Sequence, residues 1–177
     1  NTFGIDISAG QFALLEEMDD VRQLPGIFPQ AAEDTLILGG GSNLLFTRDV
    51  TGVVIKNNIT GFELIDQDDT HAWVRLGAGE NWHQTVLKAI EMGLGGIENL
   101  ALIPGNVGAA PIQNIGAYGA EIKDVFHCLE GFHFTRGEFL TFHHKDCQFG
   151  YRDSLFKHEL KNLFLITSVT LKLSKKP

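Results

Sequence analysis

The sequence has little of what staples or locates many proteins of its size. Two cysteines, Cys128 and Cys147, are too few for a disulfide framework and stand too far apart for a CxxC metal pair. They read as reduced thiols. Positive charge is scarce, with 14 lysines and arginines against 22 acids and a net charge of -8. A chain this acidic lacks the basic face that neutralises phosphates, so nucleic-acid partners are disfavoured. No apolar run approaches the ~20 residues that span a bilayer. No secretory leader is evident, so a cytoplasmic location without membrane contact is the expectation, although the first residue is not methionine. Tandem repeats and low-complexity tracts are absent.

What is present is a globular composition, 44% hydrophobic and 20% charged, with mean hydropathy +0.01. The 177 residues suit one sizeable domain or two small ones. Such a chain buries roughly 70% of its unfolded surface without staples. The residue in excess is glycine, 20 of 177, or about 11% against a usual ~7%.

Residues 12–16 read as a short strand. Asp19 and Asp20 offer caps to a helix within residues 21–32, which Pro25 and Pro29 interrupt. Thr35–Leu38 is a compact β-rich run and reads as a buried strand. Residues 52–56 and 62–65 read as further strands, and the acidic turn at 66–70 marks a boundary between subdomains 1–68 and 69–177. His71–Gly77 alternates as a strand does. Asn81 and Gln84 have capping-box spacing, and Gly93 suits the position just past a helix end. Between them Trp82, Val86, Ile90 and Leu94 recur every four residues with Leu87 alongside, which predicts a helix over 81–92 with that face buried. Residues 125–135 and 139–142 flank Arg136-Gly137 as a hairpin, and 163–173 form a long last strand before Lys175-Lys176-Pro177.

Two glycine strings carry the chemistry. Residues 39–43 (GGGSN) follow a buried strand directly. Consecutive glycines let backbone approach a ligand closely, and successive N–H groups in such a turn form a nest for phosphate oxygens. No Gly-Lys-Ser/Thr follows, so this is not a P-loop, and Leu44 stands where a dinucleotide fingerprint needs its last glycine. A Gly-rich connector without ligand is the alternative. Residues 103–119 (IPGNVGAAPIQNIGAYG) contain no charged side chain. Small residues alternating with amides suit a flat, apolar ligand with polar edges. A tight crossing of backbone segments makes the same demand for small residues. A third string, residues 149–157 (FGYRDSLFK), places Arg152 between an aromatic and an acid. A guanidinium there suits bidentate carboxylate binding, and an ordinary surface segment is the alternative. His143-His144, with His133 and His158 at a distance, is the one histidine cluster. Neighbouring strand residues face opposite ways, and no HExxH accompanies them, so no metal site is expected. Trp82 and Phe62 are expected in the core.

Taken together these strings resemble the UDP-N-acetylenolpyruvoylglucosamine reductase (MurB) family. The likeness rests on residues 1–4 (NTFG), 38–43, 77–82 (GAGENW), 98–101 (ENLA), 104–119 and 149–157, in that order, and covers the whole chain. Ala109-Ala110 departs from members that carry hydroxyl side chains there, so backbone must make any such contact. The family continues beyond this length into a substrate-binding domain holding a protonating serine and a late glutamate, neither assignable here. The resemblance therefore implies the FAD-binding portion of a longer enzyme, expected to bind FAD and to show little turnover by itself.

The fold so implied is α+β, the two-subdomain FAD-binding fold of the vanillyl-alcohol-oxidase/PCMH type. The family uses FAD to pass hydride from NADPH to the enolpyruvyl double bond of a UDP-sugar, giving UDP-N-acetylmuramate for peptidoglycan. That reaction serves cell-wall biogenesis, cell shape and division. By motif position, Gly39, Gly41, Ser42 and Asn43 are expected at the FAD diphosphate. Pro104, Gly105, Gly108, Ile115 and Gly119 are expected to line the flavin, with Gln113 and Asn114 as amide partners. Arg152 is expected to stabilise negative charge beside the substrate carboxylate, and Tyr151 to lie near substrate or nicotinamide. A monomer is expected. Other readings are a different flavin oxidoreductase of this fold, such as an oxidase, and an FAD-binding module without turnover.

Overall fold

The computed structural model describes residues 2–28 and 35–176. Asn1, Pro29, Ala32 and Pro177, which entered the expectations above, lie outside the described residues. In chain order the elements are β1 (Ala9–Leu15), α1 (Met18–Ile27), β2 (Thr35–Leu38), β3 (Val50–Asn57), β4 (Phe62–Gln67), β5 (His71–Gly77), α2 (Trp82–Glu91), β6 (Gly116–Ala117), β7 (Ala120–Glu121), β8 (Phe126–His133), β9 (Glu138–His143) and β10 (Phe164–Ser174). The strands form a parallel sheet ordered β1-β3-β2, an antiparallel sheet ordered β4-β5-β10-β8-β9, and the two-residue ribbon β6-β7. The mixture is the expected α+β architecture.

Local chemistry accounts for the helix ends. Asn81 caps α2 by accepting from Gln84 N–H at 3.0 Å, and Gly93 follows with φ +70°. The buried face differs from the four-residue pattern. Trp82, Thr85, Val86 and Ala89 are buried, whereas Ile90 is 48% exposed. A strict i+4 repeat drifts around the helix by about 40° per step, so Ile90 has rotated off the contact face. Leu94 is buried from the turn beyond the helix. Helix α1 begins earlier than expected. Glu17 is its cap, and Asp20 closes a capping box as the third helical residue. Pro25 lies within its last turns, where it contributes no N–H, and the helix ends two residues later.

Two apolar clusters hold the sheets. The larger joins Val74, Leu76, Leu129, Val169 and Leu171 of the antiparallel sheet to Trp82, Val86 and Ala89 of α2 and to Val107, Ala110 and Ile115 of the charge-free string. The smaller joins Leu15, Val21, Leu24 and Ile55 of the parallel layer to Ile59, Phe132 and Leu165. Strand β10 serves both, with Leu165 in one cluster and its neighbours Phe164 and Ile166 in the other. That double burial explains why the strand opens with three apolar residues in a row, Phe164, Leu165 and Ile166. The acidic turn expected to divide the subdomains instead joins β4 to β5, which pair with each other in one sheet. Asp68 holds that turn by accepting from Thr70 N–H and His71 N–H, both at 2.7 Å. The chain passes from the parallel to the antiparallel sheet at residues 58–61.

Candidate functional site

The two glycine strings meet. A Cβ added to Gly40 would lie 2.6 Å from Asn106 Oδ1 and 3.3 Å from Gly105 Cα, so only glycine allows this approach. Asn106 cannot swing aside freely, because its amide donates to the Gly79 carbonyl. Farther along, Asn43 Nδ2 donates to Gln113 Oε1 at 3.5 Å. Behind the first string, Lys56 Nζ on β3 donates to the Gly39 carbonyl at 2.6 Å. Burial holds the Lys56 ammonium below the usual lysine range.

Between the sheets lies a cavity of about 360 Å³. Leu36 and Ile37 of β2, with Gly39 and Leu44, contribute to its lining, as do Gly108, Ala109 and Ile112 of the charge-free string and Phe164 and Ile166 of β10. Lys157 and Lys161 also line it. Small and apolar residues with a few cations suit a flat ring joined to an anionic group. The cavity adjoins the glycine strings and shares Gly39 and Gly108 with them. The donor set therefore fits FAD.

The arginine string is tied to the charge-free string. Gly150 and Asp153 close a tight turn, N–H to carbonyl at 3.0 and 3.3 Å. Arg152 sits in it at φ +54°, a left-handed conformation that costs a non-glycine residue about 1–3 kcal/mol. Its guanidinium donates to the Gly116 carbonyl at 2.6 Å, and its own carbonyl accepts from Lys157 Nζ at 2.8 Å. Ser154 Oγ donates to the Ile112 carbonyl at 2.7 Å. His158 contacts the Asp153 carboxylate at 2.8 Å and, as the main cause, holds its pKa below the ordinary value. Tyr151 is 85% exposed beside the guanidinium.

The expected site residues divide accordingly. Gly39 and Gly108 line the cavity. Gly41, Ser42, Asn43, Gly105 and Gln113 belong to the meeting strings, with Gly105 packed near Ser42 Oγ. Pro104 and Gly119 lie exposed within the charge-free string. Asn114 and Ile115 are turned into the fold. Asn114 is fully buried, its Nδ2 donating to the Gly150 carbonyl at 2.8 Å and its Oδ1 accepting from Lys123 N–H at 3.2 Å. Ile115 is packed in the larger cluster. Neither side chain is free to meet a cofactor in this arrangement. Residues that sequence reasoning missed are Leu36, Ile37, Lys56, Ile112, Phe164 and Ile166. Ile112 sits in the charge-free string without having been singled out, and the others carry no motif, since strand side chains become walls only when the sheets close on each other. Among the described residues no cluster of three or more histidines, cysteines or acids is placed to hold a metal, and no helix is long and apolar enough to cross a membrane. Both cysteines are free.

Comparison with known proteins follows the geometry. Residues 10–141 match the model of a family described as FAD binding domain. A UDP-N-acetylenolpyruvoylglucosamine reductase from Amoebophilus asiaticus is 48% identical over 177 residues, which is 100% of this chain and 52% of that protein. The chain thus spans about half the length of the curated relatives it matches. Among solved structures, the UDP-N-acetylenolpyruvylglucosamine reductase (MurB) from Thermus caldophilus superposes with TM-score 0.70 at 30% identity, covering 94% of this chain and 56% of that one. The 6-hydroxy-D-nicotine oxidase from Arthrobacter nicotinovorans shares the fold at TM-score 0.64 and 18% identity, over 96% of this chain and 39% of its own.

Proposed function

Because the chain belongs to the FAD-binding-domain family, we propose that it is the flavin-holding part of a UDP-N-acetylenolpyruvoylglucosamine reductase of peptidoglycan synthesis. The observation that carries this reading is the meeting of the two glycine strings beside an apolar cavity between the sheets. In it, Gly39, Gly41, Ser42 and Asn43 hold the diphosphate of FAD by backbone and side-chain donors. Gly105, Gly108 and Gln113 flank the cofactor, with the exposed Pro104 and Gly119 farther along the same string. The Gln113 carbonyl oxygen accepts from Asn43, which leaves its amino group to donate. The two sheets are the two FAD-binding subdomains.

When bound, FAD supplies the hydride transfer, with NADPH as the electron source. The chain's own residues position and polarise. Arg152 offers fixed positive charge to a substrate carboxylate as negative charge builds next to it. The tight turn and the Lys157 contact fix the Arg152 backbone, and the Gly116 carbonyl orients the guanidinium beforehand, so little reorganisation is left for the reaction itself. Tyr151, exposed at the same turn, is available to pack on substrate or nicotinamide. A nucleotide-sugar substrate supports a cytoplasmic location. Replacing Arg152 with methionine in the full-length enzyme is expected to lower kcat about 10²- to 10³-fold with FAD still bound.

The test of the reading has two steps. The purified chain is titrated with FAD and followed by flavin absorbance and fluorescence. The full-length enzyme is then assayed with NADPH and UDP-N-acetylenolpyruvoylglucosamine, and with alcohols and sugars under oxygen. FAD binding together with turnover of the UDP-sugar supports the proposal. Binding with oxidase turnover alone moves the protein to another enzyme of the same fold, and failure to bind FAD removes the reading.

A further inference from the structure

The protein carries a net charge of -8, yet its proposed ligand contains a diphosphate dianion. Such a ligand needs local positive charge that reverses the overall field. Lys56 meets the requirement in an unusual way. It stands on β3, opposite Leu38 in the sheet register, and reaches across to the first glycine of the string that follows β2. Its Nζ donates to the Gly39 carbonyl at 2.6 Å. The side chain is half-buried, and no carboxylate among the described residues pairs with it. A partly desolvated ammonium held by one carbonyl and lacking an anion is electrostatically incomplete. Removing water from it lowers its pKa, in keeping with that shortage. Lys56 lies behind the first glycine string rather than in the cavity lining, which holds Lys157 and the exposed Lys161, and the other nearby cations are held elsewhere. Lys157 is tied to the Arg152 carbonyl, and Arg152 to the Gly116 carbonyl.

We propose that Lys56 is the positioning residue of the diphosphate site, orienting the glycine string through Gly39 and supplying a half-buried counter-charge for an anionic cofactor. The inference rests on the FAD-binding reading above and adds to it the residue that makes an acidic protein accept a dianion. The test compares the chain with K56M and K56R variants. Each is titrated with FAD at low and at high salt, and thermal melting without ligand serves as the folding control. K56M is expected to bind FAD about 10- to 100-fold more weakly, the scale of a lost charged hydrogen bond. Its affinity should also depend less on salt, because the lost attraction is the one that salt screens. K56R, which keeps the charge and a donor, should recover most of the affinity and the salt response. A purely structural lysine predicts something else, a lower melting temperature with unchanged salt dependence, and that result overturns the proposal. FAD affinity unchanged in K56M also overturns it while leaving the FAD reading intact. A wild-type chain that takes up no FAD refutes both.

Discussion

Asn114→Ala separates a structural amide from a cofactor ligand. The side chain is fully buried, and its amide bridges two segments by donating to the Gly150 carbonyl at 2.8 Å and accepting from Lys123 N–H at 3.2 Å. Truncation leaves both backbone groups without these partners. Each loss costs roughly 1 kcal/mol, the low end for unmet groups, since Gly150 and Lys123 are only half-buried. The backbone at Asn114 has φ +41°, which asparagine tolerates better than alanine does, adding about 1 kcal/mol. The expected destabilisation is about 3 kcal/mol, a large share of the ~5–15 kcal/mol typical of a domain. Urea unfolding of the FAD-free chain reads it as a lower midpoint with an unchanged slope. Asn114→Asp keeps the acceptor for Lys123 and should lose less of the bridge on that side, while turning an anion toward the Gly150 carbonyl. If alanine leaves the FAD-free midpoint where it was and only FAD affinity falls, the side chain is a ligand of the cofactor and the reasoning here fails.

Three further outcomes are expected. Gly40→Ala drives a methyl to within 2.6 Å of the tethered Asn106, so it should cost about 1–3 kcal/mol in stability and weaken FAD binding, both read from melting curves with and without FAD. The Cys147 thiol is buried and, chiefly for that reason, pushed up to about 12. It should resist a disulfide reagent at mildly alkaline pH until urea unfolds the chain, and rapid labelling in the native state would contradict its placement. Backbone donors from Thr70 and His71, followed by the Thr70 hydroxyl, hold Asp68 down to about 2. A carboxyl depressed in the folded state stabilises above its ordinary pKa, and that contribution is lost as pH falls through about 2. Asp68→Asn should therefore lower the melting temperature at neutral pH and bring the two curves together in strong acid, whereas an equal offset at every pH would refute the linkage.

Much of the architecture was local and therefore readable. Thr35–Leu38 and His71–Gly77 are strands over the expected residues, because apolar periodicity needs no partner to be recognised. Asn81 caps α2 because a side-chain oxygen beside the first free N–H groups is a short-range matter. The glycine strings were visible for the same reason, since composition alone shows where side chains have been removed. Where two local rules competed, the reading slipped. Pro25 suggested a break, yet the helix carries it in its last turns, and the acidic turn looked like a seam although it closes a hairpin.

What the sequence by itself determined is the set of parts: strand runs, a capped helix, two charge-poor glycine strings and an arginine flanked by an aromatic and an acid. Only the tertiary structure decided that Gly40 lies against Asn106, that Lys56 reaches Gly39, and that Asn114 turns inward to hold the arginine turn. Those facts depend on which donors find acceptors and which faces lose water once two sheets pack together. Such pairings span as many as 66 residues between Gly40 and Asn106, a separation across which local propensity carries no information.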